Sequence, residues 1–196
     1  MTELSPPDID AAHPIEEADV VVANILVPYA ERGFVRAIGA ASDLTDQEPL
    51  YAAAAAILAT GVIMRDRRTV QAGLRVAASH LLATALRGTV KRLVDRTRPN
   101  VAAQRGKHEL SLRGEKFESD FNSFPSGHTA GAVAFARAIG RHYPGSYGSW
   151  MGITAAASLA QVVRSKHYLT DVAAGVAIGW VAEAAINRLM RRAARI

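Results

Sequence analysis

Three short segments of the chain place cations, hydroxyls or imidazoles where they can meet an anion. The first is Lys91-Arg-Leu-Val-Asp-Arg-Thr-Arg98-Pro99. Lys91 and Arg98 stand two helical turns apart in sequence, a spacing that lets both reach one anion, although Pro99 must end the helix there. Basic side chains suit a helix C-terminus without any ligand, so this segment alone says little. The second is Phe124-Pro125-Ser126-Gly127-His128-Thr129, ahead of an Ala-rich stretch. Ser126 fits a helix cap, Gly127 admits close backbone approach, and free amides at a helix start attract an anion. His128 beside them can give up a proton near neutral pH. A Ser cap followed by a surface His has the same sequence. The third is Arg164-Ser-Lys-His167-Tyr-Leu-Thr-Asp171. One helical turn separates His167 from Asp171, so the carboxylate can take one ring nitrogen's hydrogen bond and leave the other as nucleophile or base. An Asp beside a surface His gives the same pattern. His13, His80, His108 and His142 form no ligand-like grouping with these residues, and the lack of Cys excludes disulfides and thiolate metal sites.

The elements that must position these groups are helices. The chain has 196 residues, 49% of them hydrophobic, enough for one core, and its 38 Ala and 15 Gly against 12 aromatics favour closely packed helices over sheets. The expected class is all-α. Residues 1–19, with Pro6, Pro7 and Pro14 among acids, lack the basic and apolar regions of a signal peptide and read as a polar tail before a single domain over 20–196. Helical periodicity predicts a broken amphipathic, interfacial helix over 20–41. Further helices are expected over 49–64, 69–94, 126–141, 150–163 and 170–190, with a long polar loop over 100–124. The expected organisation is six helices.

A mean hydropathy of +0.07 is low for membrane helices. Residues 52–64 nevertheless show no face that water could wet, and Gly175 with Gly179 and Ala132 with Ala136 provide small residues at the four-residue spacing of helices packed in lipid. These features favour a membrane-embedded bundle over a soluble one. The net charge of +5 is unevenly spread: residues 1–48 hold 10 of the 18 acids with only Arg32 and Arg36, leaving +13 on the remainder. Such a body suits an anionic partner: nucleic acid, a lipid surface or a phosphorylated substrate. No polar helix interleaves basic and aromatic residues, which argues against nucleic acid.

Taken together and in this order, K-x6-R-P, P-S-G-H and R…H-x3-D resemble the type 2 phosphatidic acid phosphatase superfamily, over residues 49 to about 190. The resemblance implies a six-helix bundle of the acid phosphatase and vanadium haloperoxidase type. It implies that His167 is the nucleophile forming a phosphohistidine, that Asp171 holds its ring, and that His128 protonates the leaving group. Lys91, Arg98, Ser126 and the Gly127 amide would hold the phosphoryl oxygens, with no metal ion and no other cofactor. The chain departs from the pattern where a Ser-Arg pair is expected, at Ala160 and Gln161; Arg164 is the nearest residue to supply that guanidinium. With no export signal recognised, the membrane branch is favoured, and with it a lipid phosphate or diphosphate, isoprenyl or glycerolipid, as substrate. The implied location is a bacterial inner membrane with an outward-facing site, although ten Lys and Arg on the motif face balance nine on the opposite one. A homo-oligomer is compatible with this reading. The alternatives are a catalytically impaired membrane scaffold, motivated by Gln161, and a soluble-type acid phosphatase or vanadate peroxidase.

Overall fold

The computed structural model describes residues 8–9, 14–112, 114 and 118–194. Among these, the elements are α1 (Pro14–Leu26), α2 (Gly33–Ser42), α3 (Gln47–Ile63), α4 (Arg67–Lys91), α5 (Pro99–Arg105), α6 (Gly127–His142), α7 (Tyr147–Val163) and α8 (Leu169–Ala193). Two-residue strands β1 (Asp8–Ile9) and β3 (Lys107–His108) pair parallel, and β2 (Asp95–Arg96) pairs antiparallel with β4 (Leu110–Ser111). The all-α class stands, with eight α-helices where the periodicity predicts six. Two local effects make the difference. Pro28 removes a backbone donor and the segment around it tightens to a 3-10 turn, splitting the first helix in two. Pro99, with its fixed φ, starts a helix that Gly106 closes in the left-handed conformation, so the expected 100–124 loop is partly helical.

α6 is the central element. From Thr129 to Ile139 it is buried on every side, and it packs against α4, α7 and α8. Its Gly and Ala make that possible, because backbones approach closely where side chains are small. A Cβ at Gly175 of α8 would lie 2.7 Å from the Ser126 carbonyl oxygen, and one at Gly179 would collide with that of Ala130. A larger apolar cluster of Leu50, Val76, Phe135 and Ile139 fills the distal half of the bundle, with Trp150 edge-on to Phe135. Asp46, Asp66 and Ser126 cap α3, α4 and α6 through their side-chain oxygens.

The helix expected from residue 20 begins at Pro14, and its first turns are tied inward. Glu16 and Asp19 both accept hydrogen bonds from Arg96, at 2.8 Å from Nη2, and Glu16 also meets His108 Nε2 at 2.5 Å. This part of the polar stretch is therefore docked against the loop that follows α4.

Candidate active site

The three motif segments meet at one end of the bundle around a cavity of about 210 Å³. α4 delivers Lys91 in its last turn, α6 delivers Gly127 and His128 in its first turn, and the α7–α8 connection delivers Arg164 and His167. Arg98 also lines the cavity, but not by the helical spacing that its sequence position suggests. α4 ends at Lys91, and the chain returns through β2 before Arg98, where the Arg98 amide donates to the Asp120 carbonyl oxygen at 2.9 Å. Convergence here comes from the paired strands β2 and β4 rather than from one helix face.

A kink after α7 aims the third segment. Ser165 adopts a positive φ of 54°, a conformation costing a non-Gly residue about 1 kcal/mol or more. The amides of Lys166 and His167 both fold back onto the Gln161 carbonyl oxygen, at 3.0 and 3.3 Å. His167 then turns Nδ1 toward the Ser123 carbonyl oxygen, 2.7 Å away. A carbonyl only accepts, so Nδ1 carries a proton, which leaves Nε2 as the ring nitrogen available to a ligand.

Asp171 stands beside the His167 ring as its charge partner. Its Oδ2 lies 3.6 Å from His167 Nδ1, beyond hydrogen-bonding distance, because that oxygen already accepts from Ser123 Oγ at 2.5 Å and from the Tyr168 amide at 2.7 Å. Its Oδ1 binds Arg96 Nη1 at 2.6 Å. Asp171 thus supplies a negative charge beside the imidazole and pins the start of α8, while the Ser123 carbonyl oxygen makes the shorter contact to the ring. Arg96 is the hub behind the site, 1% exposed, bonded to Glu16, Asp19, Thr170 and Asp171 and lying 4.1 Å over the Tyr168 ring. Burial alone would lower its pKa, but Asp171, Asp19 and Glu16 together hold the guanidinium above its ordinary value.

Ser126 is fully buried behind the cavity wall. Its hydroxyl caps Thr129 and pairs with the Thr129 hydroxyl at 3.1 Å, and its amide donates to the Asp171 carbonyl oxygen. Gly127 forms the wall in its place. A side chain at Gly127 would collide with the guanidinium of Arg87. Arg87 lines the cavity one turn before Lys91 on α4, and sequence reasoning missed it. The signal was its four-residue spacing from Lys91, which puts both on one helix face.

The polar balance of the cavity points to an anion. Among the described residues, the Nε atoms of Arg87 and Arg98 and the Nε2 of His128 are buried without hydrogen-bond partners. Burial lowers the Arg98 pKa, with Asp120 and Asp171 opposing it. Orphaned buried donors are costly, roughly 1–3 kcal/mol each, unless a ligand takes them. On the far wall, Arg164 Nη1 donates to the Gly39 carbonyl oxygen at 3.0 Å and to Asp43 Oδ1 at 2.6 Å. Gln161 Nε2 donates to Ser42 Oγ at 2.9 Å. The end of α2 is thereby docked on the site, bringing Asp43 and Asp46 to 3.7 and 3.8 Å from His128 Nε2.

Among known structures, the chain is similar to that of the first transmembrane PAP2 type phosphatidylglycerolphosphate phosphatase from Bacillus subtilis. That match has a TM-score of 0.64 and 18% identity, covering 92% of this chain and 88% of the other. Aquifex aeolicus LpxE is similar with a TM-score of 0.49 and 18% identity, over 91% of this chain and 89% of that one. At such identity the first likeness speaks to the fold. No protein with a curated description matches the chain by sequence. Residues 72–195, from early α4 through α8, match the sequence model of the PAP2 superfamily, so the cavity's motif residues all fall within it, and the chain belongs to that superfamily.

Proposed function

We propose that the protein is a metal-independent lipid phosphatase of the membrane, hydrolysing an isoprenyl or glycerolipid phosphate or diphosphate. The observation that carries this is the set of buried nitrogens on Arg87, Arg98 and His128 that make no hydrogen bond among the described residues, gathered around the same cavity as His167.

His167 Nε2 attacks phosphorus as the bond to the leaving oxygen breaks, and His128 gives that oxygen a proton. The resulting phosphohistidine is opened by water, which His128 deprotonates, releasing inorganic phosphate and restoring both histidines. Charge spreads over the three remaining phosphoryl oxygens in each step, and Lys91, Arg87, Arg98, Arg164 and the α6 N-terminal amides surround them. Five cations on the cavity wall, counting Lys166, supply the electrostatic stabilisation that a metal ion supplies elsewhere.

The membrane reading is supported by an inverted distribution of polarity. Leu74, Leu81, Ile153, Leu159, Val181 and Leu189 face outward, whereas Ser79, His80, Thr154, Ser158, Gln161 and Glu183 are buried between helices. α8 is long and apolar enough to span a bilayer, with only 28% of its apolar window buried by the protein, and α3 is a shorter apolar helix. In this reading α3, α4, α6, α7 and α8 cross the bilayer, and α1 and α2 lie at the surface with Ile25, Phe34 and Ile38 exposed. The phosphate site faces outward from a bacterial inner membrane.

The test is phosphate release from lipid phosphates by detergent-purified protein with chelator present, alongside His167→Ala. Release that persists in chelator, is blocked by vanadate and vanishes in H167A supports the reading; a strict magnesium or zinc requirement overturns its metal independence. A phosphoenzyme labile to acid and stable to alkali supports the histidine intermediate. A catalytically impaired scaffold is the second reading, favoured by the bond that ties Arg164 Nη1 to Asp43, and a folded protein that releases no phosphate would select it.

A further inference from the structure

A second cationic cavity lies at the other end of α6, about 20 Å along the helix axis from Gly127. Its origin is visible in the sequence: α4, α6 and α7 contain no Asp or Glu, and α8 contains only Asp171 and Glu183. Arg75 of α4 and Arg137 and Arg141 of α6 gather around Glu183. Arg137 Nη2 and Arg141 Nε each reach a carboxylate oxygen at 3.0 Å. Arg75 is left with neutral partners, Asn187 Oδ1 at 2.8 Å and His142 Nε2 at 3.1 Å. Among the described residues, two guanidinium groups thus share the Glu183 carboxylate and a third lies close enough to feel its charge. Arg137 is 8% exposed, its Nε has no hydrogen-bond partner among the described residues, and its guanidinium carbon lies 3.4 Å from the Trp180 ring centroid. Beside this cluster opens a cavity of about 330 Å³ lined by Arg137, Gly140, Arg141, Pro144 and Tyr147.

The excess of positive over negative charge around the buried Arg137 favours a counter-anion. Two guanidinium groups and the Tyr147 side chain line the cavity, and Trp180, half exposed, lies against Arg137, which suits a ligand that is anionic at one end and apolar at the other. We propose that this cavity binds the phosphodiester headgroup of an anionic phospholipid, held by Arg137 and Arg141, at the bilayer face opposite the phosphatase site. The proposal rests on the membrane reading above and not on the reaction. Arg141 is the better handle because it is 38% exposed at the side chain and its replacement leaves Arg137 paired with Glu183.

The experiment uses the full chain in a zwitterionic detergent, titrated with phosphatidylglycerol or phosphatidylcholine. Thermal melting and lipid retention by native mass spectrometry are the readouts. Phosphatidylglycerol should raise the melting temperature more than phosphatidylcholine, and Arg141→Gln should need about ten times more of it for the same shift, the cost of one charge-assisted contact. Glu183→Gln, which frees both guanidinium groups, should need less, whatever it does to the lipid-free melting point. Equal shifts from the two lipids, or an R141Q response like the parent's, would overturn the proposal. So would an Arg141-dependent shift given in full by inorganic phosphate alone, which would make the ligand a free anion. Failure of the chain to float with liposomes would sink this proposal and the membrane reading together. Absence of phosphate release, with the phosphatidylglycerol shift intact, would sink only the phosphatase reading.

Discussion

His167 Nδ1 donates to the Ser123 carbonyl oxygen at 2.7 Å, and this backbone contact rather than the Asp171 carboxylate, 3.6 Å away, sets the tautomer. Ser123 stands two residues before Pro125, and its hydroxyl binds Asp171 while its carbonyl binds His167. One residue therefore positions both members of the pair.

Asp171→Asn tests this division. The neutral side chain can still accept from the Tyr168 amide, but it leaves Arg96 with one carboxylate fewer in a buried setting, a loss of about 3 kcal/mol or more. The expected result is a clear fall in melting temperature with a rate loss near tenfold. A rate loss of about 10⁴, the scale of a wrong-tautomer histidine, at unchanged melting temperature would return the orienting role to Asp171.

Arg164 and Asp43 should show opposite effects. Phosphate must compete with Asp43 for the Arg164 guanidinium, which at 2.6 Å is already satisfied on one nitrogen. Arg164→Ala should lower the rate by about two orders of magnitude, and Arg164→Lys should recover little because an ammonium lacks the planar fork. Asp43→Asn should tighten vanadate inhibition severalfold. An unchanged rate in R164A, measured under saturating substrate, would assign the last phosphoryl oxygen to Gln161 or another residue.

The helices and the motif residues were legible because both depend on local signals. Alanine-rich periodicity gave α6, α7 and α8 to within a few residues, and Ser126 marked the start of α6. Arg87 and the breaks at Pro28 and Pro99 were missed although their signals are local; the rest of what escaped depended on distant pairing. Arg98 reaches the cavity through β2 and β4, whose two-residue strands carry no periodicity. The docking of Glu16 and Asp19 rests on Arg96, some 80 residues away in sequence, and a polar stretch reads alike whether solvated or ion-paired. The His167–Asp171 spacing was correct as geometry yet silent on competition from Ser123.

Arg87 and Gly127 should prove to be one functional unit. The absent side chain at Gly127 is what lets the Arg87 guanidinium reach the cavity. Arg87→Gln should lower kcat/KM by about 10²-fold, and Gly127→Ala should do similar damage by displacing the same group. The double variant should be little worse than either single one, a coupling that a double-mutant cycle reads directly. Full additivity would mean that Gly127 acts on the phosphate independently of Arg87.

The last prediction concerns acid stability of the α1 docking. Burial pushes the Glu16 carboxyl up, but the hydrogen bond with His108 and the Arg96 guanidinium outweigh it and hold its pKa below the ordinary glutamate value of about 4.3. A carboxyl lowered in the folded state stabilises it fully above that ordinary value, and the benefit is lost as pH falls through the lower folded value. Glu16→Gln should therefore melt several degrees below the parent at pH 7, where the parent's Glu16 is charged against Arg96 and His108. As pH falls from that ordinary value through the lower folded one the two melting curves should converge, because the parent then comes to carry a neutral side chain as well. His108 faces the same carboxylate and Tyr168 Oη, so His108→Gln is the control: the gap between E16Q and its Glu16 counterpart should shrink in that background without changing sign. A gap that is constant from pH 7 to pH 3 would show that Glu16 stabilises α1 by packing alone and that Arg96 is held by Asp19 and Asp171 without it.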